Sequence, residues 1–350
     1  EFPVFRVDES GDIHSAGDLV TLAATESVWL PDTTVVDGLP PEMHDIAPRG
    51  FLGRSFARHH ADLGVPANSS DWSDNHVLLA LSRRGEDLPG NLVVGRESFD
   101  RFQTLRPRAV TSRDFPRLST DALEGEHVGS SAGGEQPKFT AFVDGRHRIV
   151  KFATNTTDNA RRWRDLLALE HVALETLADA DCGSASSEIV DVDGLRCLVI
   201  DRFDRIGEMG RRAVSTLAAV VEQGGGTWSD AAVRLHADGI LGDDGLRQIV
   251  LLDAFGAWIA NSDRHHHNIA LFPTAQGYEV APAFDQLPMA YAPPASGNFR
   301  NAAIPPPRPT VITLDVWDEA HRLAHEFWRR AAGLSLTDSM RSIVEEHAGR

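Results

Sequence analysis

Lysine is almost missing from this chain. Of 34 basic residues only Lys138 and Lys151 are lysines, thirteen positions apart. A sequence that has turned nearly every cation into arginine has kept a compact ammonium at two places. The planar fork of arginine cannot stand in for an ammonium that sits against a phosphate as a point charge. Two positions make this a hint whose weight depends on their neighbours.

Cysteine is scarce as well. Cys182 and Cys197 are too few for a disulfide framework and do not form a C-x-x-C pair. They read as buried thiols of a cytoplasmic protein. No apolar run approaches the ~20 residues that span a bilayer, and the longest, residues 249–260, is interrupted by Asp253. No membrane association is expected. The opening EFPVFRVDES has neither the basic nor the apolar region of a signal peptide. It also lacks an initiator Met, so either residues have been removed or the start is that of a fragment. Positive charge is in deficit overall, with a net charge of −17, which argues against broad nonspecific nucleic-acid binding. Two local exceptions stand out: residues 96–117 hold six arginines against three acids, and Arg161-Arg-Trp-Arg164 is a second basic cluster. Solvated faces are the ordinary explanation of both.

What is present fits a multidomain globular chain. At 350 residues, 42% hydrophobic and 24% charged, it has room for two or three domains with a sizeable core. Residues 1–125 read as a mixed α/β subdomain with short strands at 2–7 and 27–30 and helices near 51–63 and 75–83. Residues 126–205 read as a small α/β lobe in the order loop, hairpin, helix, hairpin. The turns are Asp144-Gly145 and Asp193-Gly194, strong two-residue hairpin signals, and the helix is expected over 159–180. Residues 206–350 read as a mainly helical lobe, with helices over 213–223, 245–260, 314–332 and 336–346. A short hairpin is expected at 269–280.

Three stretches could carry chemistry. The small-residue loop Ser130-Ser131-Ala132-Gly133-Gly134 would let backbone N–H groups approach a phosphate. It is not a Walker loop, because GxxxxGK[ST] is absent. Lys151 lies on the strand that follows. The next helix carries a stripe Trp163, Leu167, Glu170, Leu174, Leu177, in which Glu170 is the lone charge. A carboxylate on a core-facing position needs a partner. Lys151 is one candidate partner; His171 or an arginine is another. A strand lysine paired with a helix glutamate aligns nucleotide phosphates in kinases. Finally, NSDRHHHN at 261–268 places Asp263 five residues before Asn268, the kinase D-x-x-x-x-N step. Asp285 follows a hairpin and suits the main Mg²⁺ carboxylate, with Asn268 as second ligand. A transition-metal site on Asp263, His265 and His267 is the competing reading of the same stretch.

Taken together, SSAGGEQPK, VKF, IDRFDR, NSDRHHHN and APAFDQLP resemble the HipA-like serine/threonine kinases, in the family's order and over roughly 125–295. The form SSAGGEQPKF and the later LPMAYAP resemble most closely the YjjJ/HipH-type branch. The resemblance implies an α+β, bilobal protein-kinase-like fold, with a glycine-loop N-lobe, a mostly helical C-lobe and a mixed α/β subdomain in front. It implies ATP and Mg²⁺ as cofactors. Ser130, Ser131, Ala132, Gly133, Gly134, Lys151, Glu170 and His265 would serve the nucleotide. Asp201, Arg202 and Phe203 would lie at the hinge beside adenine. Asp263 would be the catalytic aspartate, and Asn268 with Asp285 the metal ligands. Ser131, with Ser130 as neighbour, matches the family's autophosphorylation site. The sequence departs from the family's pattern at Asp201, His267 and Gln286, where Glu, Lys and Leu are common.

The implied function is that of a toxin of a toxin–antitoxin system, acting on a protein substrate such as an aminoacyl-tRNA synthetase or other translation factor. An antitoxin partner is implied. DNA contact is expected only through a partner or a missing N-terminal segment. Two rivals stay open: a catalytically weak kinase-fold regulator or DNA-associated binding protein, and a metal-dependent nuclease or hydrolase.

Overall fold

Two Asp-Gly pairs turn two hairpins. Asp144 and Gly145 have φ of 50° and 75°, and Asp193 and Gly194 have φ of 45° and 81°. Positive φ at both central residues is the type I′ turn, whose twist matches that of paired strands. The first pair joins strands Lys138–Val143 and Arg146–Ala153. The second joins Ser187–Val192 and Leu195–Asp201, in register from Ser187 opposite Ile200 to Val192 opposite Leu195.

The computed structural model describes residues 1–22, 26–30, 34–124, 136–221, 225–293 and 300–349. The chain divides into two compact units, one made of residues 1–150 and 201–215, the other of 151–200 and 216–350. No helix among the described residues is long and apolar enough to cross a membrane.

In the first unit a five-stranded antiparallel sheet runs in the order Val35–Asp37, Glu26–Trp29, Ile13–Thr21, Phe2–Val7, Leu92–Val94. Val4 and Leu19 point from this sheet into a core shared with Met43, Val77, Leu78 and Leu81. The last three come from the helix Asp74–Arg84, at the i, i+1, i+4 spacing that faces one side. The helix Gly50–His59 stops before the expected end and gives way to a 3-10 turn, Ala61–Leu63. Helices Arg96–Thr104 and Phe115–Glu124 are not legible in the sequence. The first has only Phe99 and Phe102 as apolar residues among RESFDRFQT, too few for a periodic stripe.

The second unit is built on the helix Asp158–Asp179, whose N-terminus is capped by the Thr157 side chain accepting from the Ala160 N–H at 3.1 Å. Most of its expected stripe is buried, with Leu167, Glu170, Leu174 and Leu177 all at 1% exposure or less, while Trp163 is half-buried against the core. A single core joins Leu166, Leu169 and Leu177 to Trp228, Phe255, Phe327 and Ile343. These come from helices Trp228–Ala237, Asp243–Trp258, Trp317–Ala331 and Asp338–Ala348. Of the helix expected over 213–223, the described residues form one turn, Leu217–Val220, and 222–223 lie outside the described residues. Val214, Thr216, Val220 and Val221 are β-branched, and the Leu217 N–H donates to the Ile269 carbonyl at 2.8 Å. Helix Trp228–Ala237 is not among the expected elements, although its capping box, Thr227 with Asp230, is a sequence signal.

The helix Asp243–Trp258 ends in a way that places the following loop. The Asn261 N–H donates to Gly256 O at 2.8 Å and the Ala260 N–H to Ala257 O at 3.2 Å, a Schellman pattern with Ala260 in the left-handed position. Ala260 has φ of 62°, where glycine is usual. Ala260→Gly is therefore expected to stabilise the second unit by about 1 kcal/mol, the penalty a Cβ suffers there, read as a raised urea midpoint. Destabilisation by this change would mean that the Ala260 methyl, 3% exposed, contributes more by packing.

Candidate active site

The site grows from the lysine that the composition singles out. Lys151 sits on the strand Arg146–Ala153 and is 6% exposed. Its Nζ donates to both carboxylate oxygens of Glu170, at 2.7 and 2.9 Å, and also to Asp285 Oδ1. Glu170 is fully buried, so of its possible partners the lysine holds it directly. Burial works against the ammonium, yet the two carboxylates outweigh it and hold the Lys151 pKa above the ordinary lysine range. A charged Lys151 between two carboxylates is the neutral-pH state of this cluster.

Asp285 has φ of 51°. A non-glycine residue in that region is uncommon and is found at functional sites more often than elsewhere. Asn261, fully buried, ties this loop to the other acidic stretch: its Nδ2 donates to Asp285 O at 3.3 Å and its Oδ1 accepts from the Asp263 N–H at 3.0 Å. Asp263 is thereby fixed through its backbone, while its side chain stays half exposed. The Asn268 Nδ2 donates to the Asp263 carbonyl at 2.8 Å, which closes the five-residue step as a loop. That bond engages the amide nitrogen, and Oδ1 makes no hydrogen bond among the described residues. Oxygen donors from one carboxylate and one amide fit Mg²⁺ chemistry.

Arg264 anchors the loop from below. Its Nε donates to Asp253 Oδ1 at 3.0 Å, and it also donates to the Asn261 carbonyl. The other oxygen of Asp253 accepts from Ser229 Oγ at 2.7 Å. Gly256 makes room for this: a Cβ there would lie 2.7 Å from Arg264 Cδ. The carbonyl of His265 accepts from Trp228 Nε1 at 2.9 Å. Asn261, Arg264 and Asp253 are site residues that the sequence reading misses. The available signal is Asp253, the lone acid inside the longest apolar run, which needs a buried partner.

The histidines do not gather. His265 Nε2 lies 3.7 Å from Asp263 Oδ1, and the His265 and His267 rings are 5.9 Å apart. Among the described residues no group of three or more His, Cys, Asp or Glu could hold a metal ion. Burial raises both thiols, Cys197 to about 12, so neither is a ready nucleophile.

The other expected site residues lie either outside the described residues or in the first unit. Ser130, Ser131, Ala132, Gly133 and Gly134 lie outside the described residues. Asp201, Arg202 and Phe203 belong to the first unit. Asp201 pairs there with Arg146 at 2.7 Å and Arg148 at 2.6 Å. The Arg202 guanidinium is committed to Asp204, at 2.8 and 3.0 Å, and is 2% exposed. Its side chain is held by that pair.

Comparisons with known proteins place the chain. The YjjJ-like toxin middle domain family matches residues 1–103, and the HipA-like C-terminal domain family matches residues 130–350. Toxin YjjJ of Escherichia coli (strain K12) is 33% identical over 370 residues, covering 98% of this chain and 82% of that protein. A chain of the solved Shewanella oneidensis MR-1 toxin–antitoxin complex of HipA, HipB and operator DNA matches with a TM-score of 0.66. That match spans 100% of this chain and 95% of the other at 14% identity, a likeness of fold. The fold is the α+β, protein-kinase-like fold of HipA. By sequence and fold alike, the chain belongs to the HipA-like toxin family, in its YjjJ-like branch.

Proposed function

We propose that the chain is an ATP- and Mg²⁺-dependent protein serine/threonine kinase. The observation that carries this reading is the buried lysine held by Glu170 with Asp285 at the same ammonium. Lys151 is a charged donor placed to meet phosphate oxygens, and Glu170 fixes its direction. Asp285 and Asn268 would hold Mg²⁺, which when bound supplies positive charge to the phosphates. Asp263, fixed by Asn261 and Asn268 through its backbone, orients the acceptor hydroxyl and takes its proton. The serine Oγ–P bond forms as the bond from the γ-phosphorus to the β,γ-bridging oxygen breaks, and ADP leaves. Positioning and charge neutralisation do most of this work.

The acceptor is a protein serine or threonine, and Ser131 or Ser130 is the expected site of self-modification. For a substrate in trans, an aminoacyl-tRNA synthetase or another translation factor in the cytoplasm is the first candidate. The Shewanella relative's assembly with HipB and operator DNA supports an antitoxin partner here, with DNA contact made through that partner. The test is incubation of the full chain with γ-labelled ATP and Mg²⁺, followed by peptide mapping. Label on Ser131 or Ser130, lost in Asp285→Ala, is expected. Nucleotide binding with no transfer to the chain or to any cytoplasmic protein would identify a regulator rather than a kinase.

A further inference from the structure

The basic segment 96–117 takes no part in the kinase reading, yet three of its arginines line a cleft of about 290 Å³ in the first unit. Arg106, Arg108 and Arg117 meet there with Arg205 and Arg211 from the later segment 201–215 and with His147. Against these five arginines the lining carries two acids, Asp87 and Glu208, in a chain whose net charge is −17. Arg117 is paired with Asp121 at 2.7 Å and Arg205 with Asp204 at 2.5 Å, so Arg106, Arg108 and Arg211 carry the excess positive charge that draws anions.

Beside this cleft a buried ion cluster is out of balance. Arg202, Arg205 and Arg211, each with a side chain 2% exposed, face Asp87 and Asp204. Three cations stand against two carboxylates. Arg202 and Arg205 pair with Asp204 at 2.8 and 2.5 Å, and Arg205 also with Asp87 at 3.1 Å. Arg211 is the one left over: it reaches Asp87 only at 3.9 Å and otherwise donates to the Glu86 carbonyl. Its Nη1, like that of Arg202, has no hydrogen-bond partner among the described residues. Burial and the neighbouring Arg205 push its pKa well below the ordinary arginine value. A buried cation whose counter-charge is distant and shared is unfavourable unless something supplies a closer one. Arg108 is exposed and makes no hydrogen bond among the described residues.

The remaining walls are apolar and aromatic. Arg211 lies over the Phe102 ring at 4.6 Å, and Phe142 packs edge-on to His147 at 4.9 Å. Met209 and Leu118 complete this side. A volume of about 290 Å³ is at the low end for small-molecule sites and too small for a folded partner.

We propose that this cleft binds a small phosphorylated molecule with a compact aromatic body. Arg211 supplies the inner charge to the phosphate, Arg106 and Arg108 the outer ones, and the Phe102–Phe142 wall receives the aromatic part. No residue of the Lys151–Asp285 cluster takes part, so this site stands or falls apart from the kinase reading.

The test uses phenyl phosphate and inorganic phosphate as probes, titrated calorimetrically into the full chain. Phenyl phosphate is expected to bind saturably and more tightly than inorganic phosphate. The double variant Arg106→Ser, Arg108→Ser, exposed positions that leave the buried cluster intact, is expected to weaken it by about 10- to 100-fold, the worth of one or two charge-assisted hydrogen bonds. Asp263→Asn is expected to leave the affinity unchanged. No saturable binding, equal affinity for both anions, or wild-type affinity in the double arginine variant would each overturn the proposal.

Discussion

Replacing Lys151 with methionine is expected to lower stability by about 3–5 kcal/mol, the range for removing one partner of a buried ion pair. The change leaves Glu170 fully buried with its carboxylate stripped of the two bonds at 2.7 and 2.9 Å. Methionine fills much of the lysine volume, so the loss is one of charge rather than packing. Adding Glu170→Leu is expected to recover most of it, because two apolar side chains replace two buried charges. A single and a double variant equally unstable would show that the pair does not hold the second unit together. The loss should also be flat across neutral pH. The folded Lys151 pKa lies above its ordinary value, so its contribution is complete below an unfolded pKa of about 10.4 and fades only as pH rises beyond that. Urea unfolding at several pH values, with amide exchange along the helix Asp158–Asp179, measures all three outcomes.

Asp263→Asn should behave in the opposite way, keeping stability and losing chemistry. The Asp263 side chain is half exposed, and its backbone N–H and carbonyl, held by Asn261 at 3.0 Å and Asn268 at 2.8 Å, are untouched by the change. Phosphoryl transfer to the chain itself or to a protein substrate is expected to fall by about 10²–10⁴-fold, the usual contribution of a positioned general base. The urea midpoint should stay within about 0.5 kcal/mol of wild type, as for surface substitutions. Full transfer activity in Asp263→Asn would remove this residue from the mechanism. Loss of activity together with loss of fold would make it structural.

Much of the local architecture is legible in the residues themselves, for reasons that act over short distances. A two-residue Asp-Gly turn carries its own φ signature, so both hairpins can be read directly. A single acid on an apolar helical stripe announces a partner, which makes Glu170 conspicuous without identifying Lys151 as the partner. Helices with weak stripes escape this reading, as at Arg96–Thr104, because two aromatics three apart do not establish a period. The helix expected over 213–223 fails because a hydrogen bond from Leu217 to Ile269 claims the backbone.

The sequence by itself therefore determined the small elements, the lone lysines and the five-residue step from Asp263 to Asn268. It could not decide that Lys151 meets Asp285, 134 residues away, or that the Asn261 amide joins the two loops. Nor could it show that the Arg202 and Arg205 side chains of IDRFDR are spent on Asp87 and Asp204 inside the first unit. Periodicity and turn chemistry act over a few residues, whereas a buried charge finds its partner only where packing brings distant segments within hydrogen-bond reach.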